Sequence, residues 1–279
     1  MKAQLLILIA LFTITSSTSP AQIPYGNNND VGKYIQLNGV KHYYEVYGEG
    51  PPLLLIHGNR TGIPGFAPQI EYFAKKYKVY SIDCRGRGHS EAGTDSLTFE
   101  GMAKDLSEFI DKLKLDSVCI IGKSDGAIIA LLMAIHYPKQ IRKIAAFAPN
   151  VEPDTNSLYP ETVQSIHDER IEAEKMLAKK DTSRNWLVEK WRLRLDEFQP
   201  HIPASDLNKI EIPVLIMAGD RDVIKEEHIL FIYRNIKYSN LAILTGESHH
   251  VASAHPEIFN QTIDRYFSDM FKTRSYRFQ

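Results

Sequence analysis

A serine with glycines two residues to either side, Gly122-Lys123-Ser124-Asp125-Gly126, follows the apolar run 117–121 and precedes the apolar run 127–133. A strand turning at once into a helix at such a pentapeptide holds the serine on a strained bend. Its hydroxyl is then pushed out at the carboxyl edge of a sheet. Glycines on either side lack a Cβ, which lets strand and helix come close enough for so sharp a turn. The chemistry this suggests is nucleophilic attack by the serine oxygen. A serine hydroxyl is a weak nucleophile until a base takes its proton, and the base needs a third group to orient it. Both types lie downstream. Asp222 sits in Ala218-Gly219-Asp220-Arg221-Asp222, just past one apolar run, and His249 in Gly246-Glu247-Ser248-His249-His250, just past the next. With serine, acid and histidine each beyond the carboxyl end of a different parallel strand, residues far apart in sequence can converge at one edge.

These side chains need elements to hold them. Residues 33–37 and 40–47 alternate around Asn38-Gly39, a strong hairpin signal. The run 53–56 is continuously apolar, as a strand covered on both faces is. The pattern predicts a helix over 66–76, a strand over 79–82 and a helix over 99–113. In the latter, Met102, Leu106, Phe109, Ile110 and Leu113 share one face. Strand 117–121, helix 125–136 and strand 141–147 follow, and later strand 213–217, helix 225–234, strand 241–244 and helix 256–271. An antiparallel start followed by strand–helix alternation implies an α/β fold, a mostly parallel sheet with helices on both faces. Between about 150 and 208 the rhythm breaks. Two charged amphipathic helices, over 161–179 and 184–197, replace a strand, with Leu187, Trp191 and Leu195 at four-residue spacing on the second. The expectation is a small helical lid over a pocket, a surface-docked decoration being the other reading.

With these motifs in place, the chain resembles the α/β-hydrolase superfamily over nearly all of the sequence from about residue 33 onward. The resemblance runs through His57-Gly58-Asn59 after the third strand and Asp83-Cys84-Arg85-Gly86-Arg87-Gly88-His89-Ser90 after the fourth. It continues at Ser124, at Gly-x-x-Asp from Gly219 to Asp222, and at Gly-x-x-His followed by Pro256. It implies an eight-stranded α/β-hydrolase sheet and a hydrolase of carboxylic esters or related bonds that works without a cofactor through a covalent serine intermediate. Family spacing selects Asp222 over the turn residue Asp220, and His249 over its neighbour His250. It also implies an oxyanion hole from the backbone N–H groups of Asn59 and Asp125, with His57 shaping the loop and the 83–90 segment structural. The resemblance also leaves open a lactone, amide or carbon–carbon bond as the target, since the same triad serves all of these. Epoxide hydrolases and haloalkane dehalogenases of this superfamily carry an acid at the nucleophile position, which here holds a serine. Lys123 and Arg60 depart from the small or apolar residues of many relatives. Pointed into the pocket they would favour an anionic substrate or add to the stabilisation of an oxyanion; at its rim they would be solvated cations.

Composition narrows the remaining classes. The chain has 33 Lys and Arg against 34 Asp and Glu, so no overall field recruits nucleic acid or an acidic membrane. His249 and His250 are adjacent rather than four apart, and no H-E-x-x-H occurs, so no metal site is expected. Gly86-x-Gly88 is followed by Glu91 where a third glycine would mark a nicotinamide site. Cys84 and Cys119 are expected as buried free thiols. Lys2, a short apolar run over 5–12 and Ser19-Pro20-Ala21 read as a secretory signal peptide over 1–21, cleaved after Ala21. The apolar run is too short to span a bilayer, so no stable membrane anchor is expected. A flexible lead-in over 22–32 and one hydrolase domain over 33–279 would follow, in a secreted or periplasmic protein whose partner is a small-molecule acyl substrate. A catalytically silent ligand-binding homologue is the reading from another class. Nothing in the sequence indicates an oligomeric state.

Overall fold

At Asn38 and Gly39 the backbone takes φ of 46° and 77°, the pair of positive values a tight two-residue hairpin turn requires. That turn joins β1 (Lys33–Leu37) to β2 (Val40–Tyr47) in antiparallel register, with Leu37 opposite Val40. The computed structural model describes residues 23–94 and 96–272, so the expected signal peptide over 1–21 lies outside the described residues. After the hairpin come β3 (Pro52–Ile56), α1 (Ala67–Phe73), β4 (Lys78–Ile82) and α2 (Phe99–Lys112). The middle of the chain holds β5 (Val118–Lys123), α3 (Asp125–His136) and β6 (Ile141–Phe147). Then come α4 (Pro160–Ala178), α5 (Trp186–Phe198) and the short α6 (Ala204–Leu207). The chain returns to the sheet with β7 (Val214–Arg221), α7 (Glu226–Asn235), β8 (Ser239–Ser248), α8 (Val251–Ala254) and α9 (Pro256–Ser268).

The eight strands form one sheet in the order β1-β2-β4-β3-β5-β6-β7-β8. β2 pairs antiparallel with both β1 and β4; every other pairing is parallel. The central strands are apolar on both faces because helices cover both: Leu53, Leu54, Leu55, Ile56, Ile120 and Ile121 are fully buried. α3 crosses the centre and is apolar on every side, as a helix enclosed by sheet and neighbours must be. α2 instead buries one stripe and is started by Thr98, whose side chain accepts from the Gly101 N–H.

Several boundaries differ from the expectations. β5, β7 and β8 extend past their apolar runs to Lys123, Arg221 and Ser248, because polar residues at the carboxyl ends stay paired with their neighbours. The helix expected over 66–76 is a 3-10 turn at Ile63–Phe66 followed by α1. Residues 23–32, where the sequence suggests a flexible lead-in, are described as turns tied to the sheet. The fully buried Glu45 carboxylate accepts from the backbone N–H of Gly26 and Asn28 and from the hydroxyls of Tyr43 and Tyr47. On α5, Leu195 is buried and Trp191 partly so, but Leu187 is exposed, while Leu193 off that stripe is buried. α5 is flanked by α4 on one side and by the turn at Gly86 on the other, which shifts its buried face. Cys84 and Cys119 are buried and free, and burial pushes the Cys84 thiol up to about 12.

Candidate active site

Ser124 takes φ 54° and ψ −120°, a conformation that side-chain-bearing residues rarely adopt and that costs of the order of 1–3 kcal/mol. The surroundings enforce it. Its N–H donates to Phe147 O at 2.9 Å, and its carbonyl accepts from Ala127 and Ile128 at 2.8 and 3.1 Å. The flanking glycines are sterically obligatory. A Cβ on Gly122 would lie 2.3 Å from Gly126 O, and one on Gly126 would lie 1.9 Å from Ile56 O. Neighbouring Gly58 is tight but less so: a Cβ there would lie 3.2 Å from the Ser124 Cβ. The nucleophile candidate is thus held by backbone packed against backbone.

The other two side chains leave the sheet together. Arg221 on β7 is in register with Ser248 on β8, so the next residues, Asp222 and His249, emerge side by side. A Cβ on Gly219 would lie 2.0 Å from Glu247 O, which shows how tightly the two strand ends pack. His249 Nδ1 stands 2.7 Å from Asp222 Oδ1, and the Asp222 side chain is wholly buried. An ionised carboxylate only accepts, so Nδ1 carries the proton and Nε2 is left with its lone pair. Asp222 Oδ1 also accepts from Ile224 N–H, while Oδ2 is buried with no hydrogen-bond partner among the described residues. Asp220 does something else: its carboxylate accepts from Gly246 N–H at 2.7 Å and shapes the turn. The His250 ring makes no hydrogen bond or ion pair to an acid among the described residues, and burial, then Lys123 and His249, lower its pKa against an opposing effect of Asp222.

Ser124, His249 and both expected oxyanion residues line one cavity of about 590 Å³. No hydrogen bond joins Ser124 to His249 among the described residues; such contacts commonly tighten only when a substrate occupies the site. The backbone N–H groups of Asn59 and Asp125 are not taken up by any other group among the described residues, so both are free to donate into that space. His57 sets the loop behind them. Its Nε2 accepts from Cys84 N–H at 3.0 Å, which leaves Nδ1–H to donate to Gly58 O at 2.7 Å. Complete burial pushes its pKa down to about 4 and keeps it neutral.

The opposite wall belongs to the insertion. Glu161, Ser165, Ile166 and Glu169 of α4, with Asp196 of α5 and Gln199 just beyond it, face the sheet edge across the cavity. Both departing cations line it as well. Arg60 pairs with Glu169 across the gap. The Lys123 side chain makes no ion pair or hydrogen bond among the described residues; burial lowers its pKa, while Asp222 acts in the opposite direction. Among the described residues no group of three or more His, Cys, Asp or Glu side chains is gathered as a metal site would need.

Arg87 is what the sequence reading missed. The 83–90 turn does pack as a structural unit, with Asp83 accepting from Ile63 and His89 N–H groups and a Cβ on Gly88 excluded at 2.0 Å from Asp83 Oδ2. Yet from that turn the buried Arg87 guanidinium donates to Asp125 Oδ2, Asn59 Oδ1 and Asn59 O, at 2.9, 2.9 and 3.2 Å. An arginine beside two turn glycines carries no sequence signal for that reach.

A family model described as alpha/beta hydrolase fold matches residues 51–170. Over 249 residues the chain is 28% identical to the human "Serine hydrolase BPHL", covering 83% of this chain and 84% of that one. Over 266 residues it is 26% identical to the "(E)-2-((N-methylformamido)methylene)succinate hydrolase" of Acinetobacter baylyi, covering 85% of this chain and 98% of that protein. Among solved structures, the enol-lactonase from Burkholderia xenovorans LB400 superposes with a TM-score of 0.71 at 19% identity, covering 85% of this chain and all of that one.

Proposed function

The chain belongs to the α/β-hydrolase superfamily, and from this we propose that it cleaves a small acyl substrate of the carboxylic ester class through an acyl-enzyme at Ser124. The observation that carries the reading is the Asp222–His249 contact on the rim of the cavity that Ser124 lines. His249 Nε2 takes the proton as Ser124 Oγ attacks the acyl carbon, and Asp222 holds the ring and stabilises the imidazolium. The Asn59 and Asp125 N–H groups receive the charge that develops on the carbonyl oxygen. The tetrahedral adduct collapses, His249 returns the proton to the departing alcohol, and the acyl group stays on Ser124. Water then repeats the sequence, with His249 again as base, and releases the acid.

Lys123, a cavity-lining cation without an ion pair among the described residues, favours an acyl group that carries a carboxylate. A relative named for hydrolysis of a substituted succinate supports the same preference. The insertion acts as a lid over the cavity. The order of basic residue, apolar run and small residues over 1–21 supports export. A lactone is the second acyl class, favoured by the enol-lactonase among the fold neighbours, because ring opening uses the same attack and oxyanion.

A fluorophosphonate probe should label Ser124 in the wild-type protein, and Ser124→Ala should abolish both labelling and ester turnover, of the order of 10⁶-fold in kcat, with the fold intact. Retained hydrolysis in Ser124→Ala removes the reading; an unlabelled wild type would favour a silent binder. A panel of p-nitrophenyl esters, one lactone and a neutral and carboxylate-bearing pair of equal size assigns the substrate class. Equal kcat/KM for that pair removes the role of Lys123.

A further inference from the structure

The Asn59 carboxamide is the hub of a charged cluster that reaches from the sheet edge into the insertion. Its Oδ1 accepts from Arg87 at 2.9 Å and from Arg192 Nε at 3.0 Å, and its Nδ2 donates to the Asp196 carboxyl group. Two guanidinium donors on one oxygen settle which way the amide faces. Arg192 and Asp196 are four residues apart on α5, so one turn of the inserted helix grips Asn59 from both ends of its amide. Arg87 closes the arrangement on the sheet side by holding the Asn59 carbonyl and the Asp125 carboxylate together. Arg87 and Asp125 are buried, whereas Asn59, Arg192 and Asp196 are half-buried at the cavity wall, and Arg192 also pairs with Glu189 on its own helix. Burial, then the nearby Asp125 carboxylate, push the Asp196 pKa well up.

We infer that Asp196 is a positioning residue for the acyl-transfer step, acting from α5 through the Asn59 side chain to hold the Asn59 N–H at the developing oxyanion. The insertion thereby does more than roof the pocket: it completes the machinery on the sheet. This rests on the Ser124 hydrolase reading and on Asn59 as an oxyanion donor. A donor that is held out of place rather than deleted loses part of the roughly 10²–10³-fold a donor supplies. The loss falls on kcat, because the oxyanion exists only after binding.

The test is steady-state ester hydrolysis by Asp196→Ala, Asp196→Asn, Asn59→Ala and the Asp196→Ala/Asn59→Ala double variant, beside fluorophosphonate labelling of the wild type. Asp196→Ala should lower kcat about tenfold with KM within about twofold. Asp196→Asn, whose amide oxygen still accepts from Asn59 Nδ2, should recover most of that loss. Adding Asp196→Ala to Asn59→Ala should cost nothing further, because both act through one contact. If Asp196→Ala does not fold, Asn59→Ala, which keeps the backbone N–H, must show the kcat loss by itself. The inference is overturned if Asp196→Ala turns over at the wild-type rate, if Asp196→Asn is as slow as Asp196→Ala, or if the two losses multiply. A wild type that the probe does not label removes the hydrolase reading and this inference with it, whereas a labelled wild type with indifferent Asp196 variants removes this inference alone.

Discussion

The bend at Ser124 and the inserted helices face each other across one cavity, and they are held in place by different physics. α3, which starts at the bend, buries ten of its residues, and glycine backbones there touch neighbouring backbones with no room for a methyl group. α4 buries only Ala173, and α5 only Leu193 and Leu195. Those two helices meet through ion pairs instead: Arg170 of α4 with Glu197 of α5, and Glu174 of α4 with Lys190 of α5. Close packing has one solution and holds the Ser124 backbone in one place. The Lys190–Glu174 pair is partly exposed, and such pairs are worth little individually and are screened by salt. The bend is thus fixed by packing on the sheet, while the insertion forms the far wall through polar contacts, among them those of Arg192 and Asp196 to Asn59.

Breaking the sheet side should have the largest effects. Asp222→Asn keeps the shape but removes the charge that holds His249, and kcat should fall about 10⁴-fold with the thermal unfolding curve little changed. Gly126→Ala forces a methyl group into Ile56 O and should cost roughly 4 kcal/mol or more, read as loss of soluble folded protein or a large fall in Tm. Acid then separates the regions more finely. His57 under the bend and His228, which joins Val151 to Ser157 where the chain leaves the sheet for the insertion, both have pKa values pushed down to about 4 by burial. Their neutral forms are favoured in the folded state, so their contribution is complete above the ordinary histidine pKa. It is lost as pH falls from about 6.5 towards 4, up to about 3 kcal/mol for each. A fall in Tm over that window should shrink in His228→Gln, whose amide can still accept from Val151 N–H. The smallest effect belongs to the insertion surface. Lys175→Ala, which removes an exposed pair with Glu172 on α4, should destabilise by no more than about 1 kcal/mol, and high salt should erase the difference from wild type in chemical denaturation.

The elements were legible where periodicity and burial agree. The hairpin at Asn38-Gly39, the strand before Ser124 and the helix after it follow from residues whose neighbours in sequence are also their neighbours in space. So does the steric role of Gly122 and Gly126. Less legible were contacts made across the chain. Nothing local marks Glu45 for burial, yet it is fully buried beneath the residues 23–32 that it holds. The Leu187, Trp191, Leu195 stripe pointed to one buried face on α5, but a helix pressed from two sides buries a different one. Arg87 sat within a segment read as structural, because nothing local tells a turn arginine which loop it will meet.

Local patterning by itself determined the strand–helix order, the strained bend at Ser124 and the carboxyl-end placement of Asp222 and His249. These depend on short-range sterics and apolar periodicity, which are written into consecutive residues. Only the tertiary structure decided that Arg221 and Ser248 lie in register, so that Asp222 reaches His249, and that α5 and the 83–90 turn grip the same asparagine. Those outcomes depend on how distant segments pack, and a long polar side chain finds its partner only once the fold has brought that partner within reach.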